Sequence, residues 1–374
     1  MNEQSLLDLV NLTTGKLNSN AAVETGKYPF FTCSPETLSI DQFSFDTKAL
    51  LLAGNNAEGN FCLKYYEGKF DAYQRTYVLT LDDESVTTYK YLFYYLKTKL
   101  LELKNNSAGS ATRFLTLSIL RDIRVPLPPL PEQKAIASVL SSLDDKIDLL
   151  HRQNKTLEAM AETLFRQWFI EEAKEDWEYV ELGSVVETSS GGTPSRKEMS
   201  YYESGSIHWV KSKELNGSFI TETEEMITDE AVKRSSAKLL PAYSTLIAMY
   251  GATVGEYALI TKTMTCNQAV CALKENEAYP YTFIFMYVKN QKDELINQAV
   301  GSAQQNISQI LIKKLPIPTC IDRINEYHQL VNPWFKRMQL NVEQIQTLEN
   351  LRDTLLPKLM SGEVRIQYQT EEVA

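Results

Sequence analysis

The residue types that most often perform catalysis are too few and too dispersed in this sequence to form a recognisable active site. Only three histidines occur, and two of them, His151 and His328, fall in long predicted helices, which argues against a Ser-His-Asp or Cys-His arrangement. The five cysteines include no CxxC pair, so neither a zinc site nor a disulfide framework is indicated. A phosphate-binding loop of the GxxxxGKS/T type is also missing. We therefore predict that the chain has no catalytic residues, no metal site and no cofactor of its own.

Two short motifs resemble parts of known enzymes, and both have a structural explanation. Asn332-Pro333-Trp334-Phe335 resembles the Asn-Pro-Pro-aromatic motif that holds the target base in adenine methyltransferases, but no glycine-rich cofactor loop precedes it. We interpret Pro333 instead as a proline at the start of a helix. Glu132 and Lys134 mimic a nuclease Glu-x-Lys pair, but a glutamate in a first helical turn is favoured by the helix dipole.

Basic, hydroxyl and amide side chains cluster in loops of the second half of the chain. Lysine and arginine beside small hydroxyl residues suit the anchoring of phosphate groups, and loop amides suit pairing with base edges. The candidate DNA-binding residues in this half are Thr193, Ser195, Arg196, Lys197, Lys211, Ser212, Lys213, Tyr250, Thr253, Asn267, Gln268, Gln304, Gln305 and Asn306. An ordinary solvated loop is the alternative for each residue taken singly, whereas the whole set indicates DNA recognition.

Two long amphipathic helices are predicted to position these loops. From Glu132 to Glu172, apolar residues recur in alternating steps of three and four, which is the heptad pattern of a coiled coil. A helix of that length extends about 60 Å and needs a partner along all of it. The region Ile324–Met360 repeats the register, with Arg352 as the one break. The predicted seam residues are Ile136, Leu140, Leu143, Ile147, Leu150, Asn154, Leu157, Leu164, Trp334, Met338, Ile345, Leu348 and Leu355.

The two helices belong to a longer internal repeat. Each follows a Pro-apolar-Pro lead, which favours an antiparallel pair over two unrelated surface helices. Gly191 corresponds to Gly15, and Asn267-Gln268 falls where Tyr73-Gln74 does. Because such matches stay collinear, we predict a tandem duplication and an α/β (α+β) fold with pseudo-twofold symmetry. The predicted segments are mixed α/β domains at 1–125 and 176–316, for which the family resemblance given below implies target recognition, long helices within 126–175 and 317–365, and a tail at 366–374.

The first domain is predicted to alternate short strands with helix. Strands are expected at Tyr28–Cys33, Ala49–Ala53 and Thr76–Leu81, a helix around Tyr91–Leu103, and a further strand at Ile119–Val125. We assign the helix tyrosines to the core, with a base-stacking platform as the alternative. Candidate DNA-binding residues in this domain are Lys16, Asn55, Asn56, Gln74, Arg75, Ser110 and Arg113.

Composition sets broad limits on where such a chain acts. Its 374 residues, 43% of them hydrophobic, suffice for two or three domains with their own cores. The formal charge of -10 argues mildly against nucleic-acid binding, although basic loops and acidic helices can coexist in one chain. Because no apolar run reaches the length of a membrane span and no basic leader with an apolar core opens the chain, we expect a cytoplasmic protein.

Taken together, these motifs resemble the specificity (S) subunits of type I restriction-modification systems over essentially the full length. The resemblance rests on the segments Ser190-Gly191-Gly192-Thr193-Pro194-Ser195, Ile207-His208-Trp209-Val210-Lys211, Gly251-Ala252-Thr253-Val254-Gly255, Cys266-Asn267-Gln268-Ala269-Val270 and Pro128-Pro129-Leu130-Pro131-Glu132-Gln133-Lys134-Ala135-Ile136. The first domain departs from the pattern, since Lys16-Leu17-Asn18 stands where a Gly-Thr-Pro is expected.

The resemblance implies a noncatalytic subunit for DNA methylation and host defence. Each domain would read one half of a split double-stranded DNA target, and the helix pair would set the unspecified spacer. Two methyltransferase (M) subunits and the restriction (R) subunits would be partners, carrying S-adenosylmethionine, ATP and magnesium themselves. Two alternatives stay open: the recognition subunit of a related system with a fused methylase-nuclease partner, and a coiled-coil scaffold without a role at DNA.

Overall fold

The computed structural model describes residues 2–55, 61–106, 114–300 and 306–367. The chain divides into two compact units, each with its own core. The first unit comprises Met1–Ile147 and Leu348–Ala374, and the second comprises Asp148–Thr347.

The first unit is built on a six-stranded sheet. Its elements are β1 (Asn2–Ser5), β2 (Val10–Thr14), β3 (Tyr28–Phe31), β4 (Leu38–Ile40), β5 (Phe45–Ala53), β6 (Leu63–Ala72), β7 (Thr76–Leu81), α1 (Tyr89–Asn106), α2 (Leu117–Asp122), β8 (Arg124–Leu127) and the start of α3 (Leu130–Arg166). The sheet order is β2-β7-β5-β6-β3-β4, and β1 pairs separately with β8.

The second unit begins with the remainder of α3, which ends in a π-helical turn at Gln167–Glu171. Its further elements are β9 (Tyr179–Glu181), α4 (Leu182–Val185), β10 (Thr188–Ser190), β11 (Ile207–Val210), β12 (Phe219–Ile220), β13 (Met226–Ile227), α5 (Asp229–Arg234), β14 (Thr245–Ala248), β15 (Tyr257–Ile260), β16 (Thr265–Cys266), β17 (Val270–Leu273), α6 (Tyr281–Val300), α7 (Gln309–Lys313), β18 (Pro316–Pro318) and most of α8 (Ile321–Ser361). A five-stranded sheet has the order β10-β17-β14-β15-β12, a three-stranded sheet has the order β13-β11-β16, and β9 pairs with β18.

The strand orders confirm the predicted duplication. The run β2-β7-β5-β6 of the first unit is repeated as β10-β17-β14-β15 in the second. Each unit also pairs its first strand with the strand that carries the Pro-apolar-Pro lead, β1 with β8 and β9 with β18. A helix tyrosine secures the start of that lead strand in both units: the Tyr95 hydroxyl donates to the Arg124 carbonyl and the Tyr287 hydroxyl to the Pro316 carbonyl.

Two predictions made from local sequence patterns are wrong. Residues predicted as a strand at Ile119–Val125 mostly form α2, because the Thr116 hydroxyl caps that helix by accepting the Ile119 N–H at 3.3 Å, and only the last of them enter β8. Pro333 does not begin a helix, since α8 starts at Ile321. Its ring is exposed within the helix interior, where it cannot donate to the carbonyl four residues earlier.

The tyrosines of α1 belong to the core, as predicted. Tyr91 and Tyr95 are buried beside Leu92 and Leu96, against Leu50, Leu52 and Leu79 of the sheet. The Tyr91 hydroxyl donates to the Pro126 carbonyl at 2.8 Å, so its one polar atom is satisfied.

Within the first unit, the beginning of α3 and the end of α8 run antiparallel. Ile136 and Leu140 share a core with Leu359 and Met360. Arg352, the break in the heptad pattern, donates to Asp144 at 2.8 Å, and the Tyr94 hydroxyl donates to the other oxygen of that carboxylate at 2.8 Å. The predicted break in the apolar seam is therefore filled by an ion pair.

The seam continues antiparallel within the second unit. Tyr327 is fully buried and donates to the Ala161 carbonyl at 2.9 Å. The Asn341 amide donates to the Asn154 side-chain oxygen at 2.8 Å, and the Asn154 amide donates to the Met338 carbonyl at 3.2 Å. Of the predicted seam residues in both units, those that are buried are Ile136, Leu140, Ile147, Leu150, Met338 and Ile345, and those that are half-buried are Leu143, Asn154, Leu157, Leu164, Trp334, Leu348 and Leu355.

The asparagine pair generates a double-mutant prediction. Asn341 is 1% exposed and its side-chain oxygen has no hydrogen-bond partner, so the pair carries an uncompensated polar atom. Asn154→Leu alone should destabilise the second unit by about 1–3 kcal/mol, because the Asn341 amide loses its 2.8 Å acceptor and keeps only a 3.4 Å contact with the Gln153 side-chain oxygen. Asn154→Leu with Asn341→Leu should recover this loss and exceed the wild-type stability. Urea unfolding followed by tryptophan fluorescence measures the free energy of unfolding of the second unit, since all four tryptophans lie in that unit. A double variant whose stability is no higher than the sum of the single changes predicts would contradict the prediction.

The Asp144 ion pair generates a pH prediction. Burial by itself would raise the pKa of Asp144, but the hydrogen bond from Arg352, the charge of Lys97 and the Tyr94 hydroxyl outweigh it and lower the pKa. A depressed carboxylate pKa contributes stability above the unfolded-state value of about 4, and that contribution disappears as the pH falls through the folded-state pKa. Asp144→Asn should therefore flatten the acid-side loss of protection of α1 amides in hydrogen exchange. Asp145→Asn, at an exposed position one residue later, is the matched control and should leave the profile unchanged.

Candidate nucleic-acid interface

Four loops of the second unit meet at one end of its sheets. The Gly192 N–H donates to the Cys266 carbonyl, and the Asn267 N–H donates to the Val210 carbonyl, both at 2.9 Å. The Thr193 hydroxyl donates to the Gln268 side-chain oxygen. The Met249 N–H reaches the Ala269 carbonyl at 2.7 Å, which brings the end of β14 to the same place.

These contacts gather many of the predicted DNA-binding residues, and we call the gathered set the second loop cluster. Its members are Thr193, Ser195, Arg196, Lys197, Lys211, Ser212, Lys213, Tyr250, Asn267, Gln268 and Asn306. Asn306 joins it through a β-bridge to Tyr250. Thr253 lies on the turn from β14 to β15 and is half-buried. Gln304 and Gln305 lie outside the described residues.

Glycine permits the close approach of these loops. A Cβ atom on Gly191 would lie 2.3 Å from the carbonyl oxygens of both Cys266 and Asn267. In the first unit, a Cβ atom on Gly15 would lie 1.8 Å from the Ala72 carbonyl oxygen. Both positions therefore exclude a side chain for the same reason, the crossing of two backbones.

The equivalent loops of the first unit form a first loop cluster of Lys16, Asn55, Gln74 and Arg75. The Tyr73 N–H donates to the Phe31 carbonyl at 2.9 Å, as the Asn267 N–H does to Val210 in the second unit, and the Gln74 N–H donates to the Leu17 carbonyl at 2.9 Å. The Gly54 N–H donates to the Arg75 carbonyl at 2.8 Å, and Asn55 bridges to Phe114 where Tyr250 bridges to Asn306. Lys16, Gln74 and Arg75 are exposed, and Asn55 is half-buried. Asn56, Ser110 and Arg113 lie outside the described residues.

Two glutamates that sequence reasoning missed hold the basic residues of the second loop cluster. Glu225 accepts from Arg196 at 2.6 Å and from Lys211 at 2.8 Å, while Glu224 accepts from Lys211 at 2.9 Å and Lys213 at 2.7 Å. The hydrogen bonds from Arg196 and Lys211 lower the pKa of Glu225 to about 2, so it stays ionised at neutral pH. The signal was the acidic run Glu222-Thr223-Glu224-Glu225 between two basic segments.

Lys211 differs from a free phosphate anchor. Its side chain is 15% exposed and lies between the two carboxylates, and its backbone N–H donates to Glu214 at 2.7 Å. Lys213 has a side chain that is 60% exposed and forms an ion pair with Glu224 at 2.7 Å. The geometry therefore gives Lys211 a role in joining the end of β11 to the segment that precedes β13.

Over the described residues, no group of three histidine, cysteine, aspartate or glutamate side chains could hold a metal ion. None of the helices in the described ranges is long and apolar enough to cross a membrane.

The chain is similar in sequence to known proteins along most of its length. The family model described as "Type I restriction modification DNA specificity domain" matches residues 1–159 and again 174–327. The chain is similar to the MjaIX specificity subunit of Methanocaldococcus jannaschii, with 30% identity over 302 residues, which is 74% of this chain and 69% of that protein. It is also similar to the EcoDI specificity subunit of Escherichia coli, with 41% identity over 136 residues, covering 36% of this chain and 29% of that protein.

A solved structure shares the fold. The crystal structure of the S subunit of a type I restriction-modification system from M. genitalium superposes with a TM-score of 0.65 at 17% identity. The match covers 96% of this chain and 95% of that one. At this identity, the likeness concerns the arrangement of elements alone.

The different environments of two lysines generate a prediction. Lys211→Met should destabilise the second unit by about 1–3 kcal/mol, because two carboxylates lose a shared, mostly buried partner. Lys213→Met, the matched control, should change stability by less than about 1 kcal/mol, as expected for an exposed ion pair. Urea unfolding by tryptophan fluorescence distinguishes them. If Lys211→Met keeps full stability and instead weakens DNA binding with a smaller salt dependence, Lys211 is a phosphate contact as the sequence suggested.

Proposed function

The chain belongs to the family of type I restriction modification DNA specificity domains, and from this premise we propose that it is the subunit that recognises a two-part DNA target. Each unit reads one half of the target, and an unspecified spacer separates the halves. The chain itself performs no reaction and positions methyltransferase and restriction subunits on the DNA, in the cytoplasm.

The observation that supports this proposal is the presence of one loop cluster in each unit, at equivalent positions of a duplicated fold. Gly15 and Gly191 mark the same loop crossing, and Asn55 and Tyr250 make the same bridge. A protein with two equivalent polar surfaces is suited to contact two separate segments of one duplex.

The side chains at equivalent positions differ, which favours two different half-sites. Tyr73 stands where the second unit has Asn267, and Asn55 stands where it has Tyr250. Base edges are distinguished by the donors and acceptors presented to them, so a tyrosine and an asparagine select different contacts. We propose an asymmetric target for this reason.

The long helices supply surfaces for protein partners. In the second unit, an open groove on α3 and α8 is lined by Met160, Leu164 and Trp334, among others. Met160 is 45% exposed, so the groove presents apolar surface of the kind that a protein partner can cover. We assign methyltransferase subunits to this surface. S-adenosylmethionine, ATP and magnesium then belong to the partner subunits.

Methylome sequencing tests the proposal directly. A host carrying this gene with its methyltransferase partner should methylate a two-part sequence that is unmethylated in a host lacking the gene. Replacing residues 1–125 by the corresponding domain of a relative should change one half of that sequence, since each domain has its own core and loops. Replacing residues 176–316 is the matched exchange and should change the other half. If either exchange changes both halves, the units are not independent readers; if the methylomes with and without the gene are identical, the chain does not direct methylation.

A further inference from the structure

Arg196 is held by three side chains although it lies at the surface. Its guanidinium carbon lies 4.2 Å from the ring centroid of Tyr202 and 5.0 Å from that of Trp209. One guanidinium nitrogen, Nη1, donates to Glu225 at 2.6 Å. The side chain is nevertheless 52% exposed. An arginine at such a position ordinarily samples many rotamers, so its fixed orientation is a specific feature of this surface.

The aromatic platform under Arg196 is itself fixed to the loop that carries Arg196. The Trp209 indole N–H donates to the Gly192 carbonyl at 3.0 Å, and Trp209 is 2% exposed. The Tyr202 hydroxyl donates to the Pro194 carbonyl at 2.7 Å. The loop, the two rings and the guanidinium therefore form one connected arrangement that holds its geometry before any ligand arrives.

This arrangement suits base recognition better than phosphate anchoring. A phosphate contact needs a positive charge and tolerates a flexible side chain, whereas reading a base edge needs planar donors in a fixed orientation. The fork of an arginine matches the O6 and N7 acceptors of guanine in the major groove. With Nη1 engaged by Glu225, the guanidinium nitrogens Nη2 and Nε remain for a ligand.

We propose that Arg196 reads a guanine in the half-site recognised by the second unit, and that Glu225 is a positioning residue that orients the guanidinium. This inference rests on the proposed function and specifies one base within it. Tyr202 and Trp209 provide the surface against which the guanidinium is held, and the exposed Lys197 is a candidate contact for the DNA backbone.

Arg196→Lys is the sharpest test because it keeps the charge and removes the planar fork. In the assembled complex with its methyltransferase subunits, the methylome of this variant should accept other bases at one position of the second half-site and keep the first half-site unchanged. Binding to a duplex with the wild-type sequence should weaken by roughly 10- to 100-fold, the range that one bidentate base contact supplies. The salt dependence of binding should stay the same.

A modified duplex locates the contact by atom. Replacing each guanine of the second half-site in turn by 7-deazaguanine removes the N7 acceptor. The wild-type complex should lose affinity at one of these positions, and the Arg196→Lys complex should show no loss there. Arg234→Lys is the matched control. Arg234 is also exposed and forms an ion pair with Glu230 of its own helix at 2.5 Å, but no aromatic ring of the described residues lies against its guanidinium. It should leave both the methylated sequence and the 7-deazaguanine response unchanged.

Glu225→Gln keeps the shape of the site and tests positioning separately. The methylome of this variant should accept other bases at the same position as that of Arg196→Lys. Its urea unfolding, followed by tryptophan fluorescence, should stay close to wild type, because Lys211 keeps its ion pair with Glu224. An Arg196→Lys complex that binds all sequences about equally less well, with no change in base preference, would show a phosphate contact and overturn the inference, as would an unchanged methylome. Should Arg196→Lys fail to fold, a Glu225→Gln complex with an unaltered sequence preference would overturn it instead. In each of these cases a two-part wild-type methylome would leave the proposed function standing.

Discussion

Each unit depends on one pair of strands, β1 with β8 in the first unit and β9 with β18 in the second. A proline-rich strand cannot form hydrogen bonds on both sides, so β8 and β18 each have one paired edge, occupied by the first strand of the same unit. Tyrosine hydroxyls of α1 and α6 donate hydrogen bonds to backbone carbonyls of β8 and β18. Together these bonds fix the point at which each long helix begins.

Polar side chains in the seam set its alignment at a cost in stability. Asn154 and Asn341 satisfy each other only in part, and Arg352 is matched to Asp144 instead of an apolar partner. A purely apolar seam tolerates sliding by a turn, because leucine and isoleucine pack acceptably against many neighbours. A displaced helix would break the Asn154–Asn341 and Asp144–Arg352 contacts, which makes the observed alignment the favoured one within each unit.

Periodicity and repetition predicted most of the fold, whereas side-chain pairing escaped prediction. The heptad spacing located both long helices, and matches such as Gly15 with Gly191 revealed the duplication. The capping of α2 by Thr116 was missed because one hydroxyl decided between helix and strand for a short segment. Pro333 was misplaced because tertiary packing over forty residues tolerates a proline that an isolated helix would not. The candidate surface was located by its basic loops. The glutamates that hold Arg196 and Lys211 lie in a separate acidic run, and the sequence does not specify which basic residues that run pairs with.

The division of the chain into units determines the order in which they can fold. The second unit is one continuous segment, whereas the core of the first unit joins Leu6 and Leu50 to Leu359 and Met360. A chain emerging from the ribosome supplies those last two residues only after the whole second unit has been synthesised. The core of the first unit is therefore incomplete until a contact of very long sequence separation closes. During synthesis the apolar surface of the incomplete first unit is exposed, and we expect chaperones to bind the N-terminal half of the chain.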